Sequence, residues 1–275
     1  MSLRQQILQF IGEEPTSIQT LYAKFPDQKK TTIRGRLYEC LGESVKRVGK
    51  GLYISSTAIA ETGNALEIID QMVEDNDKFD FIFLDIPYAA SGQKGGNRNL
   101  FSLNKITPED FATFLPKCQS LLRTEDSFIC FMFTSGRSSA PAFKRYFKAF
   151  ENTDLKLAGQ GSYEKLWANG NPMNMGKYKM PDEYIMLFNK SGNFDKYKDV
   201  PLRFSLTPSF DYPTAKPYSM LRSLIGTFTS QFQWVFDPFV GSARLVQACK
   251  DLGRFCHVID CNEDSIQKFV LPKLV

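Results

Sequence analysis

Five nearly continuous apolar runs between residues 79 and 260 constrain the fold more than any other feature of the sequence. Runs that lack polar alternation are typical of strands covered by helices on both faces. Segments with helical periodicity separate them, which predicts an α/β fold with a doubly wound, mostly parallel sheet. The predicted strands are 79–85, 127–133, 183–188, 233–237 and 254–260, and the predicted helices are 64–75, 108–122, 138–149, 217–230 and 243–252.

The N-terminal part has a different pattern. Helical patterns at 3–12, at about 17–25 and at about 31–41 precede two short alternating segments around Gly49-Lys50-Gly51, which predict a hairpin. Three helices followed by a basic hairpin predict a winged helix-turn-helix module over 1–57, joined to an α/β domain over 58–275. The alternative is a small helical module that docks protein partners.

The net charge of the chain lies in this N-terminal part. Residues 1–55 contain nine basic and five acidic residues, and the rest of the chain sums to zero. This asymmetry predicts contact with a polyanion, with the third helix in a major groove and the hairpin on phosphates. The candidate cations are Lys29, Lys30, Arg34, Arg36, Lys46, Arg47 and Lys50, together with Lys94 and Arg98 in the loop at 89–107. The glycine- and serine-rich composition of this loop suits a mobile lid, and a plain flexible surface loop is the alternative.

Composition narrows the class of protein to which the chain can belong. No apolar run approaches the ~20 residues of a membrane span, and the N-terminus lacks the apolar core of a signal peptide. We therefore expect an intracellular protein without membrane contact. The six cysteines contain no Cys-x-x-Cys pair and His257 is the single histidine, so we expect reduced thiols, a structural histidine and no metal.

The first chemical feature is the segment QWVFDPFVGSARL, in which a predicted strand ends at Asp237 and a helix begins near Ala243. Gly241 allows the backbone to approach a ligand closely, and the helix start presents free N–H groups. A second strand ends at Asp260, at the distance where an acid can hold the ribose hydroxyls of a nucleoside cofactor. Alone, this pattern predicts a nucleotide site or an ordinary strand–turn–helix crossover.

The second feature is FDFIFLDIPY, in which a hydrophobic strand delivers Asp85, Ile86, Pro87 and Tyr88 at its carboxyl end. A base amine is a weak nucleophile because its lone pair is delocalised into the ring. A carboxylate and a backbone carbonyl that accept its N–H bonds favour a tetrahedral, nucleophilic nitrogen. Pro87 stiffens the turn, and Tyr88 offers a flat face for an extruded base. A plain strand followed by a proline turn is the alternative.

Together the two features resemble the DNA amino-methyltransferases whose catalytic tetrapeptide is Asp-Pro-Pro-Tyr. FDPFVGSA is similar to their cofactor motif, ETGNALEII to their Gly-Asp segment, and PTAKPYSMLRSLI to their Pro-Thr-x-Lys-Pro motif. KLWANGNPMNMGKYKMPDEYIMLFNKSG resembles the segment before their target-recognition region. The catalytic motif precedes the cofactor motif, as in the circularly permuted β class. The resemblance covers about residues 60–270.

This resemblance implies a Rossmann-like class I methyltransferase fold and transfer of a methyl group from S-adenosylmethionine to a base amine, without a metal. Asp85 and the Ile86 carbonyl would orient the amine, and Tyr88 would stack on a base flipped out of duplex DNA. The leading Asp favours adenine-N6. The implied cofactor-binding residues are Asn64, Thr214, Lys216, Phe236, Asp237, Phe239, Gly241, Ser242 and Asp260.

Three positions depart from the family pattern: Ile86 replaces a proline, Ala243 a glycine and Asn64 an acid. The segment 190–212 is too short for a large target-recognition domain, so we expect sequence reading from the N-terminal module or the loop at 89–107. Two alternatives stay open: an RNA base amino-methyltransferase and a catalytically silent DNA-binding regulator. A homodimer, the recognition sequence and the biological role (restriction, epigenetic marking or phage protection) are also open.

Overall fold

The computed structural model describes residues 2–11, 16–39, 45–49, 52–55, 58–87, 105–134, 140–175, 178–179, 182–206 and 215–274. The N-terminal elements are α1 (Leu3–Ile11), β1 (Thr16–Ser17), α2 (Ile18–Lys24), α3 (Lys30–Glu39), β2 (Val45–Gly49) and β3 (Leu52–Ser55). They are followed by β4 (Ala58–Thr62), α4 (Ala65–Glu74), β5 (Phe81–Leu84), α5 (Pro108–Ser120), β6 (Phe128–Thr134), α6 (Ala140–Phe147), β7 (Lys156–Lys165), β8 (Asn174–Met175), β9 (Tyr178–Lys179), β10 (Glu183–Asn189), β11 (Arg203–Leu206), α7 (Tyr218–Phe228), β12 (Trp234–Asp237), α8 (Arg244–Leu252), β13 (Phe255–Asp260), α9 (Glu263–Ser265) and α10 (Leu271–Leu274).

In the described part of the chain, the central element is an eight-stranded sheet in the order β4-β13-β12-β5-β6-β10-β7-β11. The strands from β4 to β6 in this order are parallel, and β10 is antiparallel to both of its neighbours. The chain leaves β5 through α5 toward β6, and it leaves β12 through α8 toward β13 in the opposite direction. The strand order therefore reverses between β5 and β12, and ligands bind at such a crevice in open α/β sheets.

Helices cover both faces of this sheet, as the apolar runs predict. Along β5, Ile82 and Leu84 pack into one apolar cluster with residues of α4 and α5. Phe81 and Phe83 point to the opposite face and pack with residues of α7 and α8. All five predicted strands and all five predicted helices are present within a few residues of the predicted bounds.

The sequence patterns missed β4, β7 and β11. β7 carries glycines and is half-exposed along most of its length, so it has neither the apolar run nor the alternation of a typical strand. Gly161 shows why a glycine is needed there, since a Cβ would lie 2.1 Å from the Leu202 carbonyl oxygen. The close approach of the chain before β11 requires this glycine.

The N-terminal helices lie where they were predicted, and β2 and β3 form the predicted antiparallel hairpin with β1 as a third strand. α1 buries Ile7, Leu8 and Ile11 in the apolar cluster that also contains Ile82 of β5. The Gln5 side chain accepts from the Lys78 backbone N–H and donates to the Lys78 carbonyl. The N-terminal part is thus packed on the sheet, while its identity as a winged helix stays a prediction.

The structure also shows the state of the described cysteines and whether any described helix could span a membrane. Five cysteines in the described residues are free, and four of them are buried, as expected: Cys118, Cys130, Cys249 and Cys256. Cys40 lies outside the described residues. None of the described helices has the length and apolar character that a membrane span requires.

Candidate active site

Four polar residues follow the carboxyl ends of adjacent parallel strands and therefore meet at one edge of the sheet. They are Asn64 after β4, Asp260 at the end of β13, Asp237 at the end of β12 and Asp85 after β5. Asp237 and Asp85 flank the point where the strand order reverses. The sequence had assigned all four to the site, and the topology brings them to the edge where ligands bind.

The turn between β12 and α8 is held by backbone hydrogen bonds to two carboxylates. The Phe239 N–H donates to Asp237 Oδ1 at 3.0 Å, and the Gly241 N–H donates to Asp260 Oδ2 at 2.9 Å. Asp260 Oδ1 accepts from the Asn262 N–H at 2.8 Å. Each oxygen of Asp260 retains a further lone pair, so the carboxylate can still accept hydrogen bonds from a ligand.

Burial controls the ionisation of both carboxyls. It raises the pKa of Asp237 well above the ordinary value, against the opposing hydrogen bond from Phe239. It also raises the pKa of Asp260, against the hydrogen bonds from the Asn262 and Gly241 amides. Asp85 and Asp260 further raise the pKa of Asp237, so this edge of the sheet disfavours additional negative charge.

Asp85 is held differently, by a lysine from a distant part of the chain. Lys216 Nζ lies 2.6 Å from Asp85 Oδ2 and 3.2 Å from Glu183 Oε2. Lys165 Nζ lies 2.6 Å from Glu183 Oε1. These four side chains form an alternating row of charges that we call the buried charge row. Lys216 and Glu183 are each about nine-tenths buried, and the Asp85 side chain is 27% exposed.

The pairing determines the direction of each pKa in the row. Burial disfavours the charged form of Lys216, but Asp85 and Glu183 more than offset it and raise the pKa of Lys216. Burial likewise disfavours ionised Glu183, but Lys216 and Lys165 hold its pKa below the ordinary value. Asp85 is the exception, because burial dominates and its pKa is raised despite Lys216.

Comparison with known proteins identifies the family. A family model described as DNA methylase matches residues 79–270, which is well over half of the chain. The chain belongs to the DNA methylase family. The matched region contains both β5 with Asp85 and the β12–β13 segment with Asp237 and Asp260.

Solved structures share the fold of this methylase. M1.HpyAVI matches with a TM-score of 0.56 and 23% identity over 76% of this chain and 95% of that chain, and its complex with SAM gives 0.57 and 20% over 79% and 98%. PvuII DNA methyltransferase, titled cytosine-N4-specific, gives 0.58 and 13% over 80% and 87%. A putative DNA modification methylase from Thermus thermophilus, TTHA0409, complexed with S-adenosyl-L-methionine, gives 0.52 and 14% over 76% and 91%. No curated protein sequence matches the chain.

The predicted catalytic tetrapeptide, residues 85–88, is described as far as Pro87. The Ile86 side chain is buried in the core, so the predicted role of this residue in substrate binding falls to its backbone. Pro87 is exposed, and its carbonyl accepts from the Ile106 N–H at 3.1 Å. Tyr88 lies outside the described residues, as do Thr214, Lys94 and Arg98.

Phe236 packs into the core below the edge of the sheet. It has no exposed surface, and its ring is stacked on Phe79 at a centroid distance of 4.9 Å. Its side chain faces away from the edge, so its assignment to the cofactor stays a prediction that rests on its backbone. Phe239 is partly buried in the turn, 5.8 Å from the ring of Phe114, and Ser242 follows in the same turn.

The two departures in the cofactor half have clear structural roles. Asn64 caps α4, because its Oδ1 accepts from the Leu66 N–H at 3.1 Å. Ala243 has the left-handed conformation, with φ of 54°, immediately before α8. This conformation favours glycine, the residue that the family commonly has there. The backbone of the turn therefore keeps the glycine-like shape although the residue is alanine.

The predicted DNA-binding cations have mixed environments. Arg36 pairs with Glu39 at 3.1 Å and with Asp75 at 3.4 Å. Lys30 and Arg34 lie over the ring of Tyr22 at 5.4 Å and 5.6 Å, and both remain exposed, as does Lys29. Lys50 and the side chains of Lys46 and Arg47 lie outside the described residues. The role of these cations stays a prediction.

Sequence reasoning missed Glu183 and Lys165. Glu183 begins β10, where it was included only as the first residue of an apolar strand, and Lys165 ends the unpredicted β7. A charged residue directly beside a buried strand was the available signal. That signal becomes informative only when the sheet order is known, because β10 lies next to β6 and β7 next to β10.

Proposed function

We propose that this DNA methylase transfers a methyl group from S-adenosylmethionine to the exocyclic amine of a base in duplex DNA, and that the base is adenine (N6). The observation that carries the proposal is the position of Asp85. Its carboxylate lies at the strand-order reversal, beside the turn that carries Asp237 and Gly241, with one oxygen paired to Lys216.

The substrate half of the reaction requires acceptors for the N–H groups of the amine. Asp85 Oδ1 and the Ile86 carbonyl are the proposed acceptors, since the Ile86 side chain is buried and Lys216 pairs with Asp85 Oδ2. Accepting both N–H bonds concentrates the lone pair on nitrogen and favours attack. Stacking of the flipped base on Tyr88 would hold the ring in place.

The cofactor half is suited to a nucleoside with a cationic centre. Asp260 is proposed to accept hydrogen bonds from ribose hydroxyls, and Gly241 and the start of α8 to face the ligand with their backbone. When bound, S-adenosylmethionine supplies an electrophilic methyl group on a sulfonium sulfur. Because Asp85 and Asp260 raise the pKa of the Asp237 carboxyl, a positive charge at this edge of the sheet would favour the ionised forms of these acids.

The choice of adenine rests on the leading Asp of the tetrapeptide, because the fold is shared with a cytosine-N4-specific enzyme. The test is incubation of the purified protein with isotope-labelled S-adenosylmethionine and, in parallel reactions, either duplex DNA or single-stranded RNA, followed by nucleoside mass spectrometry. We expect label in N6-methyladenine and none with the Asp85→Asn variant. Label in N4-methylcytosine would overturn the adenine assignment, and label only in single-stranded RNA would favour the RNA alternative.

Absence of both methyl transfer and cofactor binding would favour the silent regulator. Isothermal calorimetry with S-adenosylmethionine separates these outcomes. If the cofactor binds but DNA is not methylated, the substrate assignment is wrong. If it does not bind, the cofactor assignment is wrong and the protein has to be tested for DNA binding alone.

We further propose that the N-terminal part contacts the DNA backbone. Lys29 and Arg34 are exposed, and residues 1–55 carry the net positive charge of the chain. Deletion of this part is a poor test because Ile7 and Leu8 of α1 are buried in the shared core. Lys29→Glu and Arg34→Glu keep the fold and should reduce the log–log salt slope of DNA binding by about 0.9 per lost contact. An unchanged slope would favour the protein-docking alternative.

A further inference from the structure

The buried charge row joins four segments that are far apart in sequence. Asp85 follows β5, Lys216 precedes α7, Glu183 begins β10 and Lys165 ends β7. The distances along the row are 2.6 Å from Asp85 to Lys216, 3.2 Å from Lys216 to Glu183 and 2.6 Å from Glu183 to Lys165. Two negative and two positive groups alternate, so the row is neutral as a whole.

Burying such a row is costly, because each ion loses its hydration and the mutual attraction often only compensates for that loss. The Lys216 and Glu183 side chains are each 9% exposed, and that of Lys165 is 16% exposed. A hydrophobic set of similar volume would pack the same space at no electrostatic cost. The row therefore indicates a role at the site beside which it lies.

The geometry at Asp85 is asymmetric. Lys216 Nζ lies 2.6 Å from Asp85 Oδ2, which is closer than its 3.2 Å contact with Glu183 Oε2. Glu183 in turn is held from its other oxygen by Lys165, whose strand β7 lies two strands from β6. The orientation of the Asp85 carboxylate is thus linked to the far part of the sheet through a series of charged contacts.

We propose that Lys216 and Glu183 are positioning residues: Lys216 holds one oxygen of Asp85, and Glu183 fixes Lys216, so that the second oxygen of Asp85 faces the substrate amine. This inference rests on the proposed function and deepens it. It gives Lys216 a role other than the contact with the cofactor that the sequence resemblance implied.

The pKa of Asp85 is the property by which the positioning role can be tested. An ionised carboxylate accepts hydrogen bonds at either oxygen and is a stronger acceptor for the N–H of the amine, whereas a protonated carboxyl carries an O–H donor. Burial raises the pKa of Asp85, Lys216 lowers it, Glu183 raises it and Lys165 lowers it. In the described part of the chain, the charged and titratable groups that interact electrostatically with Asp85 include Lys216, Glu183, Lys165, Asp237 and Cys130. Loss of Lys216 and loss of Glu183 should therefore move the pKa of Asp85 in opposite directions.

The test compares the pH dependence of kcat for wild type, Lys216→Met and Glu183→Gln. In Lys216→Met the acid limb should move to higher pH by about one unit or more, because the cation that favours the carboxylate is lost. In Glu183→Gln the acid limb should move to lower pH. We expect kcat to fall about 100-fold in the first variant and about tenfold in the second, since misplacement by about 1 Å costs that order of rate.

A charge-balanced variant controls for misfolding. Glu183→Gln/Lys165→Met removes one negative and one positive group and leaves the Asp85–Lys216 pair. We expect it to fold, as checked by circular dichroism and thermal melting, and to have an acid limb close to that of wild type. If Lys216→Met fails to fold, the opposite shifts are tested with Glu183→Gln against Lys165→Met.

Cofactor affinity decides between the two roles of Lys216. Positioning predicts that the dissociation constant of S-adenosylmethionine stays within about threefold in Lys216→Met. A tenfold or greater loss with an unshifted acid limb would overturn the proposal in favour of a cofactor ligand (tenfold corresponds to about 1.4 kcal/mol). Shifts in the same direction in both variants would also overturn it.

The positioning role can be tested even if the protein methylates nothing. The pKa of Asp85 can be followed by ¹³C NMR of the labelled carboxyl carbons, with Asp85→Asn to assign the signal. If the pKa of Asp85 shifts in opposite directions in Lys216→Met and Glu183→Gln, the role of the buried charge row is supported even when no methyl transfer is found. Absence of any shift in both would show that the row does not control Asp85.

Discussion

Asp85 and Asp260 are acids at the same edge of the sheet, but the chain holds them in different ways. Asp260 accepts hydrogen bonds from two backbone amides, those of Gly241 and Asn262, and Asn262 is its near neighbour in sequence. Asp85 is paired with the side chain of Lys216, which is in turn paired with Glu183. The backbone amides that hold Asp260 are uncharged and remain when a side chain is changed. The charge that holds Asp85 belongs to one side chain, so a single substitution removes it.

The difference separates the two halves of the proposed site. The proposed cofactor half, around Asp260, takes its shape from the turn before α8 and should tolerate single side-chain changes outside its carboxylates. The proposed substrate half, around Asp85, depends on contacts between strands and should respond to changes at a distance. Four substitutions test this division, and they follow in order of decreasing expected effect.

Asp85→Ala should have the largest effect. It removes the proposed acceptor of the amine, and loss of one such electrostatic contact costs about 100- to 1,000-fold in rate. The affinity for S-adenosylmethionine should stay within about threefold, because the cofactor is proposed to bind the neighbouring turn. Single-turnover kinetics and calorimetry measure the two quantities. A loss of cofactor affinity in proportion to the loss of rate would show that the halves are not separate.

Asp260→Ala should affect the other half. Its carboxylate is proposed to accept two hydrogen bonds from ribose hydroxyls, each of about 1.5–3 kcal/mol because the acceptor is charged. Loss of even one such bond corresponds to about tenfold, so the dissociation constant of the cofactor should rise about tenfold or more. Asp260→Asn is the matched control, since it keeps one carbonyl acceptor and should lose less. An affinity within about twofold of wild type would reject the assignment of Asp260.

Glu61 extends the comparison to stability, because side chains hold it as they hold Asp85. Its Oε1 lies 3.0 Å from Arg4 Nη1 and 2.9 Å from His257 Nε2. Burial opposes ionisation, but His257 and Arg4 lower the pKa of Glu61 to about 2. A lowered pKa in the folded state stabilises the protein above the ordinary value of 4.5, and this contribution is lost as the pH falls toward 2.

Glu61→Gln should therefore lower the free energy of unfolding by about 2 kcal/mol near neutral pH, a value reduced for its partial exposure. The difference from wild type should shrink as the pH falls from 4.5 toward 2. Urea unfolding at several pH values measures it. Asp264→Asn is the control, since its exposed pair with Lys268 should contribute less than about 1 kcal/mol. A difference that does not change with pH would contradict the ion-pair interpretation.

Ala243→Gly should have the smallest effect. Relief of the left-handed conformation is worth about 1–2 kcal/mol, and it is offset by the lost burial of a methyl group and by the entropy of glycine. We expect a net change within about 1 kcal/mol and cofactor affinity within about threefold. Ala248→Gly, within α8 and equally buried, lacks the strain and should destabilise. Equal losses in the two variants would show that the turn gains nothing from glycine.

The sequence predicted the sheet strands that are buried on both faces, because an apolar run such as 79–85 is a local property. It missed β7, because the glycines and half-exposed residues of this strand give a pattern that is typical of a loop. It also did not show that the Phe236 side chain faces the core, because a motif identifies neighbours in sequence but not the direction of each side chain. On β12 that direction leads into the packing against Phe79 rather than to the edge.

What the sequence by itself determined is the local structure of the proposed cofactor half: the strand end at Asp237, the turn with Gly241 and the acid at Asp260. Their contacts join backbone groups of one strand–turn–helix–strand unit, so local patterns encode them. Only the tertiary structure decided the substrate half. Lys216 and Glu183 come together with Asp85 because β10 lies beside β6, and the order of strands in a sheet depends on long-range packing that no local periodicity records.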